Sequence, residues 1–295
     1  MKILVVGSNG QVGNSLLKLS SQYGFEAVGY GLPDIDITSS ASVNKVISDE
    51  NPEVVINAAA YTAVDKAESE VETAYLVNDK GSEILASECE SAGSAFFHIS
   101  TDYVFDGSEG MYLEDSEVNP ESVYGASKLA GEISAKNHCS KTVILRTSWI
   151  FSEFGNNFLK TMVKLAGSRE ELGIVADQKG SPTSAKHVSE ALLKLVVEYK
   201  AKKLPFGTYH FTGAPYSNWF EFAKLIFSEA EKAGLILKSP RVNALKTEEY
   251  PLPAKRPADS RLDCSKIFNL IPNLDNDWRS EVSRVVSVLK EEGFK

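Results

Sequence analysis

Ile3-Leu4-Val5-Val6-Gly7-Ser8-Asn9-Gly10-Gln11-Val12-Gly13 is the stretch whose reading decides the fold. Its first four residues are apolar and mostly β-branched, and Leu16, Leu17 and Leu19 follow at helical spacing, so it reads as strand, glycine-rich turn and helix. The turn has the pattern Gly-x-x-Gly-x-x-Gly, in which glycines permit a tight bend, close backbone approach to a pyrophosphate, and close packing of helix on strand. The unpaired N–H groups and positive dipole end of the helix then face the phosphates. Gly7, Asn9, Gly10, Gln11, Val12 and Gly13 are therefore expected to hold a dinucleotide.

Outward from this unit the chain alternates strands and helices. Residues 26–30 read as the second strand, 39–50 as a helix opened by a serine cap, and 53–57 as the third strand after Pro52. Residues 71–92 read as one long helix ending at Gly93, and 95–100 as an apolar strand. Such alternation predicts a parallel, doubly wound sheet with helices on both faces, whose ligands lie at the carboxyl ends of the strands.

A second pattern occupies 99–132: Ser100-Thr101-Asp102-Tyr103-Val104-Phe105-Asp106-Gly107, a polar loop, then Tyr124-Gly125-Ala126-Ser127-Lys128. Tyr124 and Lys128 are four residues apart and share one helix face, which can put an ammonium beside a phenol. A cation about 4 Å away at an effective dielectric of about 20 favours phenolate by roughly 4 kcal/mol, enough to lower the phenol pKa by up to roughly three units. The expectation is an acidified tyrosine able to donate a proton near neutral pH.

Composition bounds the remaining classes. At 295 residues the chain can bury a large core in one or two domains. A net charge of −9 argues against a general nucleic-acid surface and leaves any anionic ligand to be held locally. Cys89, Cys139 and Cys264 lack pairing or metal-ligand spacing, which predicts reduced thiols in a cytoplasmic protein. The apolar run before Gly7 is too short for a signal sequence, and no membrane segment is expected. His98, His138, His187 and His210 show no ligand spacing, so no metal site is read here.

The glycine turn and the Tyr-x-x-x-Lys pair together resemble the extended short-chain dehydrogenase/reductase superfamily. Further stretches narrow the resemblance to the dTDP-4-dehydrorhamnose reductase family: Asn57-Ala58-Ala59-Ala60-Tyr61-Thr62-Ala63-Val64-Asp65-Lys66-Ala67-Glu68, the segment 100–107, Arg146-Thr147-Ser148-Trp149-Ile150-Phe151, Asp177-Gln178-Lys179-Gly180-Ser181-Pro182-Thr183 and Arg256-Pro257-x-x-Ser260. It runs from Met1 to about the last helix. What it implies is a Rossmann-type α/β fold with a smaller mixed α/β domain. Residues 1–150, with a segment of about 172–212 returning to the sheet, would bind the dinucleotide; about 151–171 and 213–295 would bind a sugar nucleotide.

The same resemblance assigns roles. Tyr124, Lys128 and Thr101 would be catalytic. Asp36, Ile37, Ala58, Ala59, Ala60 and Tyr61 would join the glycine turn, Tyr124 and Lys128 around NADPH or NADH. Thr62, Thr101, Asp102, Trp149 and Arg256 would touch the substrate, with Trp149 offering a flat apolar face and Lys255 and Arg256 facing a diphosphate. Asp34 and Asp36 also fit turn formation, and neither an acidic residue nor an Arg stands at the end of the second strand to choose between the two cofactors. The implied reaction reduces the 4-keto group of dTDP-4-dehydro-L-rhamnose to dTDP-L-rhamnose, a polysaccharide precursor. Two alternatives stay open: a sugar-nucleotide epimerase or dehydratase of the same superfamily, and a non-catalytic regulatory subunit like that of methionine adenosyltransferase. Some members of the reductase family form homodimers that share a metal ion; no spacing here shows such a site.

Overall fold

The computed structural model describes residues 1–294. Five strands, β1 (Lys2–Val6), β2 (Glu26–Tyr30), β3 (Val54–Asn57), β4 (Ala95–Thr101) and β5 (Thr142–Thr147), form one sheet with an edge strand Gly207–His210. All are parallel, in the spatial order Gly207–His210, β5, β4, β3, β1, β2. The strand order reverses between β1 and β3, which opens a crevice beyond their carboxyl ends.

β1 shows why the layers form. Successive strand residues point to opposite faces. Ile3 and Val5 enter a core shared with helices Gln11–Leu19 and Ala185–Lys200, whereas Leu4 and Val6 enter a core with Ser40–Glu50, Gly81–Ala92 and Val123–His138. A strand covered on both faces must be apolar throughout, and the doubly wound sheet expected from the alternation is the one adopted.

Beyond β5 a separate core gathers Phe151, Leu159, Phe222, Phe227, Trp278 and Val286, contributed mainly by helices Phe158–Ala166, Trp219–Ala233 and Trp278–Glu291. Glu171–Val175 pairs in parallel with Arg241–Leu245, and its Ile174 packs into this second core. The segment expected to return to the main sheet from about residue 172 thus starts too early. The return is made by helix Ala185–Lys200 and strand Gly207–His210, whose Val188, Leu192 and Tyr209 lie in the sheet's own core.

The long helix expected over 71–92 is interrupted: Val71–Tyr75, a π-helical turn Leu76–Lys80, then Gly81–Ala92. The wider turn lets Asn78 leave the ordinary ladder, as such turns do. Its Oδ1 accepts from the Tyr61 N–H at 2.8 Å, and its Nδ2 donates to the Tyr61 carbonyl at 3.1 Å and Ser127 Oγ at 2.9 Å. That ties the loop after β3 to the helix carrying Tyr124. Among the described residues, no helix is long and apolar enough to cross a membrane.

Candidate active site

A cleft of about 870 Å³ opens at the carboxyl ends of β1, β3, β4 and β5. The glycine turn forms its floor, each glycine for a different reason. Gly7 has φ +82°, and a Cβ there would lie 2.5 Å from the Ala59 nitrogen. At Gly13 a Cβ would collide with the Gly7 carbonyl and would come within 2.7 Å of Ser8 Cα. Gly10 meets only the Gly7 carbonyl, at 3.3 Å, and lines the cleft. It also caps helix Gln11–Leu19 without any side-chain hydrogen bond, so first-turn N–H groups remain for a ligand.

Gly7, Asn9, Gly10, Gln11 and Val12 line the cleft, as do Asp36, Ile37, Ala58, Ala59 and Ala60. Two expected cofactor residues do not. Gly13 lies against the underside of the turn, and the Tyr61 hydroxyl donates to Glu70 Oε2 at 2.6 Å. Asp36 both lines the cleft and shapes a turn, its Oδ1 accepting from the Thr38 N–H at 2.9 Å and Oγ1 at 2.7 Å. Gln11 Oε1 accepts from Ser152 Oγ and Asn157 Nδ2, both at 3.0 Å, joining the turn to the chain beyond β5.

Ser122 caps helix Val123–His138 by accepting from the Gly125 N–H at 3.1 Å, and the first two turns then present Tyr124 and Lys128 to the cleft. Lys128 is 2% exposed; its Nζ donates to the Ile99 carbonyl at 2.7 Å and lies 3.2 Å from His98 Nε2. Burial lowers its pKa to about 8, against the opposing pull of Glu132. Burial pushes the Tyr124 phenol up to about 12, with the Thr101 hydroxyl pulling it down and the Asp102 charge pushing it up. The expected acidification of Tyr124 by Lys128 is therefore not what the side chains of the cleft produce. The amine is directed at Ile99 and His98, and desolvation of the phenolate prevails.

Thr101 Oγ1 donates to Asp102 Oδ1 at 3.1 Å and accepts from the Tyr103 N–H at 3.2 Å. Asp102 is buried, which raises its carboxyl to about 6 although the neighbouring Ser260 and Thr101 hydroxyls pull the other way. Its Oδ2, Ser100 Oγ and Thr147 Oγ1 have no partner among the described residues, and all three residues line the cleft. Buried polar atoms are ordinarily paired, so this group marks where a polyhydroxylated ligand would complete the hydrogen bonding. Ser100 and Thr147 fall within the motif stretches, but by sequence alone they look like strand residues until their neighbours are known.

Thr62 and Trp149 also line the cleft. Trp149 has φ +45° and stacks on Trp219 with ring centroids 3.8 Å apart, so one of its two faces is already covered. Trp219 itself lines the cleft, and nothing in the amphipathic pattern of 218–233 distinguishes it from a core residue. Arg256 does not line the cleft: it makes a bidentate pair with Asp65, at 2.5 and 2.7 Å, and donates to the Ala254 carbonyl at 2.8 Å. Lys255 is paired with Glu121. Both cations expected at a diphosphate are thus engaged by carboxylates. Arg146 is buried and forked onto Glu132 at 2.9 and 2.7 Å, bracing β5 against helix Val123–His138.

Residues 1–291 match the family model described as the RmlD substrate binding domain. The chain is 42% identical to a dTDP-4-dehydrorhamnose reductase of Aggregatibacter actinomycetemcomitans, over 96% of this chain and 98% of that protein. A crystal structure of such a reductase from Clostridium acetobutylicum superposes with TM-score 0.90 at 38% identity, covering 98% of this chain and 100% of the other. One from Bacillus anthracis, solved in complex with NADP, gives 0.86 at 35% identity, covering 96% and 98%. With glycine turn, Tyr-Lys pair and threonine converging on one cleft, and with identity sustained over nearly its whole length, the chain belongs to the dTDP-4-dehydrorhamnose reductase family.

Proposed function

We propose that the protein reduces the 4-keto group of dTDP-4-dehydro-L-rhamnose with NADPH or NADH, giving dTDP-L-rhamnose. The observation that carries this is the opening of the uncapped helix start at Gly10 and the group Tyr124, Lys128 and Thr101 onto the same cleft. The nicotinamide supplies hydride to C4 when bound. Tyr124 donates a proton to the carbonyl oxygen as negative charge builds there, Lys128 supports the phenolate left behind, and Thr101 contributes a hydrogen bond. Asp102, Ser100 and Thr147 hold the sugar hydroxyls, and the edge of Trp149 with Thr62 closes the sugar end. Arg256 reaches the diphosphate only by releasing Asp65.

The same reading divides the labour along the chain. Residues 1–150 and the returning helix and edge strand hold the dinucleotide; the core of 151–182 and 213–294 carries the sugar-nucleotide side. The reaction belongs in the cytoplasm, in keeping with three free thiols. Purified protein mixed with dTDP-4-dehydro-L-rhamnose should consume reduced nicotinamide absorbance, measured for NADH and NADPH separately. Tyr124→Phe should lower turnover at least about a hundredfold, the ordinary worth of a positioned acid. Unchanged turnover in that variant would remove Tyr124 from the role.

A further inference from the structure

One short segment serves both ends of the cleft. Trp149 and Ile150 line the end assigned to the sugar, and Gly155, Asn156 and Asn157 line it again beside the glycine turn. Away from the cleft the segment is anchored in the second core: Phe151 is buried there, and Glu153 pairs with Arg284 of helix Trp278–Glu291 at 3.1 and 3.0 Å. Toward the turn it is held through Gln11 Oε1, which accepts from Ser152 Oγ and Asn157 Nδ2, both at 3.0 Å, and by Lys18 over the Phe154 ring at 4.4 Å. Ser152 Oγ divides its single proton between Gln11 and the Phe154 carbonyl at 3.1 Å, which leaves Asn157 the firmer tie. Hydrogen-bond roles fix how the two amides point. Asn157 caps helix Phe158–Ala166, its Oδ1 accepting from the Lys160 N–H at 3.1 Å, and a backbone N–H cannot reverse. The Asn157 amide nitrogen must therefore face Gln11, and only the oxygen of the Gln11 amide can meet it. The Gln11 NH2 group is left to donate elsewhere, on a side chain that lines the cleft at the uncapped start of its helix.

We propose that Asn157 is a positioning residue that couples the two ligands: through Gln11 it links the pyrophosphate of the dinucleotide to the backbone that carries Trp149. The proposal rests on the reductase reading of the cleft. A pyrophosphate oxygen accepting from the Gln11 amide holds that side chain in place and polarises its oxygen, which strengthens the bond from Asn157. The segment 152–157 is then fixed from both sides, by the glycine turn and by the second core. Trp149 feels this because its φ of +45° is a left-handed conformation that an L residue keeps only where its surroundings impose it. A sugar nucleotide arriving after the dinucleotide meets a wall already ordered, so less of the ordering cost falls on its own binding. Linkage makes the effect reciprocal.

Calorimetric titration tests this with NADPH and dTDP-L-rhamnose, a reduced cofactor and a reduced sugar between which no hydride moves. In the parent, saturating dTDP-L-rhamnose should tighten NADPH at least about fivefold, and the reverse titration should give the same factor. Asn157→Ser keeps a capping oxygen but does not reach Gln11, so it should melt only modestly below the parent while the factor falls to about one. Asn157→Asp also keeps the cap but turns the Gln11 amide over, aiming its oxygen at the pyrophosphate, so NADPH alone should bind about tenfold more weakly. Independent binding of the two ligands to the parent overturns the proposal and leaves the reductase reading standing. A factor that survives in folded Asn157→Ser overturns it as well. If either ligand fails to bind the parent, the reading of the cleft is wrong and the proposal falls with it. Should Asn157→Ser not fold, Asn157→Asp decides: NADPH affinity equal to the parent's there removes Asn157 from the role.

Discussion

Asp102 is the residue where function and stability pull apart. Its carboxyl titrates at about 6 in the folded chain against 3.8 for the free side chain. Between those values the folded state keeps a proton that the unfolded chain has released, so this group's contribution to stability falls as pH rises from about 4 to about 6. Above that window the ionised form carries a cost of up to about 3 kcal/mol, at about 1.36 kcal/mol per unit. Asp102→Asn should therefore melt higher than the parent at pH above about 7 and converge with it near pH 4, while turnover drops at least about tenfold. A melting difference that ignores pH would show that burial does not strain this carboxyl. Tyr124 reads differently: with its phenol near 12 it stays protonated throughout the working range, so an alkaline fall of the rate below that pH is not its own.

At the scale of the element, the glycine turn separates folding from binding. A Cβ at Gly10 meets only the Gly7 carbonyl, at 3.3 Å, so Gly10→Val should fold with a melting temperature only modestly below the parent's while losing dinucleotide affinity at least about tenfold, by crowding the pyrophosphate. Gly7→Val must adopt a left-handed φ and drive a Cβ against Ala59, so it should lower stability by several kcal/mol or fail to accumulate as folded protein. Equal affinity in the parent and Gly10→Val, by fluorescence titration with NADH, would misplace the phosphates. The π turn makes a second test. Asn78→Ala leaves the Tyr61 N–H and carbonyl and Ser127 without their partner, which should cost about 1–3 kcal/mol and raise KM for the dinucleotide more than it lowers kcat.

Across the whole molecule, contacts distant in sequence shape the cleft. The Arg256–Asp65 pair joins positions 191 residues apart and secures the proline-rich loop beside Tyr103 and Asp102. Asp65 is partly exposed, so Asp65→Asn should cost at most about 1 kcal/mol in thermal or urea unfolding. It should still change KM for the sugar nucleotide severalfold with kcat nearly constant, because the freed guanidinium and loop act on binding. A KM equal to the parent's would place that ion pair outside substrate recognition.

The sheet, its two helical layers and the convergence of Gly10, Thr101, Tyr124 and Lys128 were legible in the chain itself. The continuous apolar run of β1, a glycine pattern and an i, i+4 pair are local regularities, and the parallel topology follows from the alternation of strands and helices. What only tertiary structure decided depends on neighbours brought together from afar: the π turn that lets Asn78 reach Tyr61, the stacking of Trp219 on Trp149, the capture of Arg256 by Asp65, and the raised phenol of Tyr124. The physical reason is that pKa values, side-chain pairing and access are set by what is packed against a group. Lys128 could be placed beside a tyrosine from spacing alone, but Ile99, His98 and burial determine what its nitrogen does.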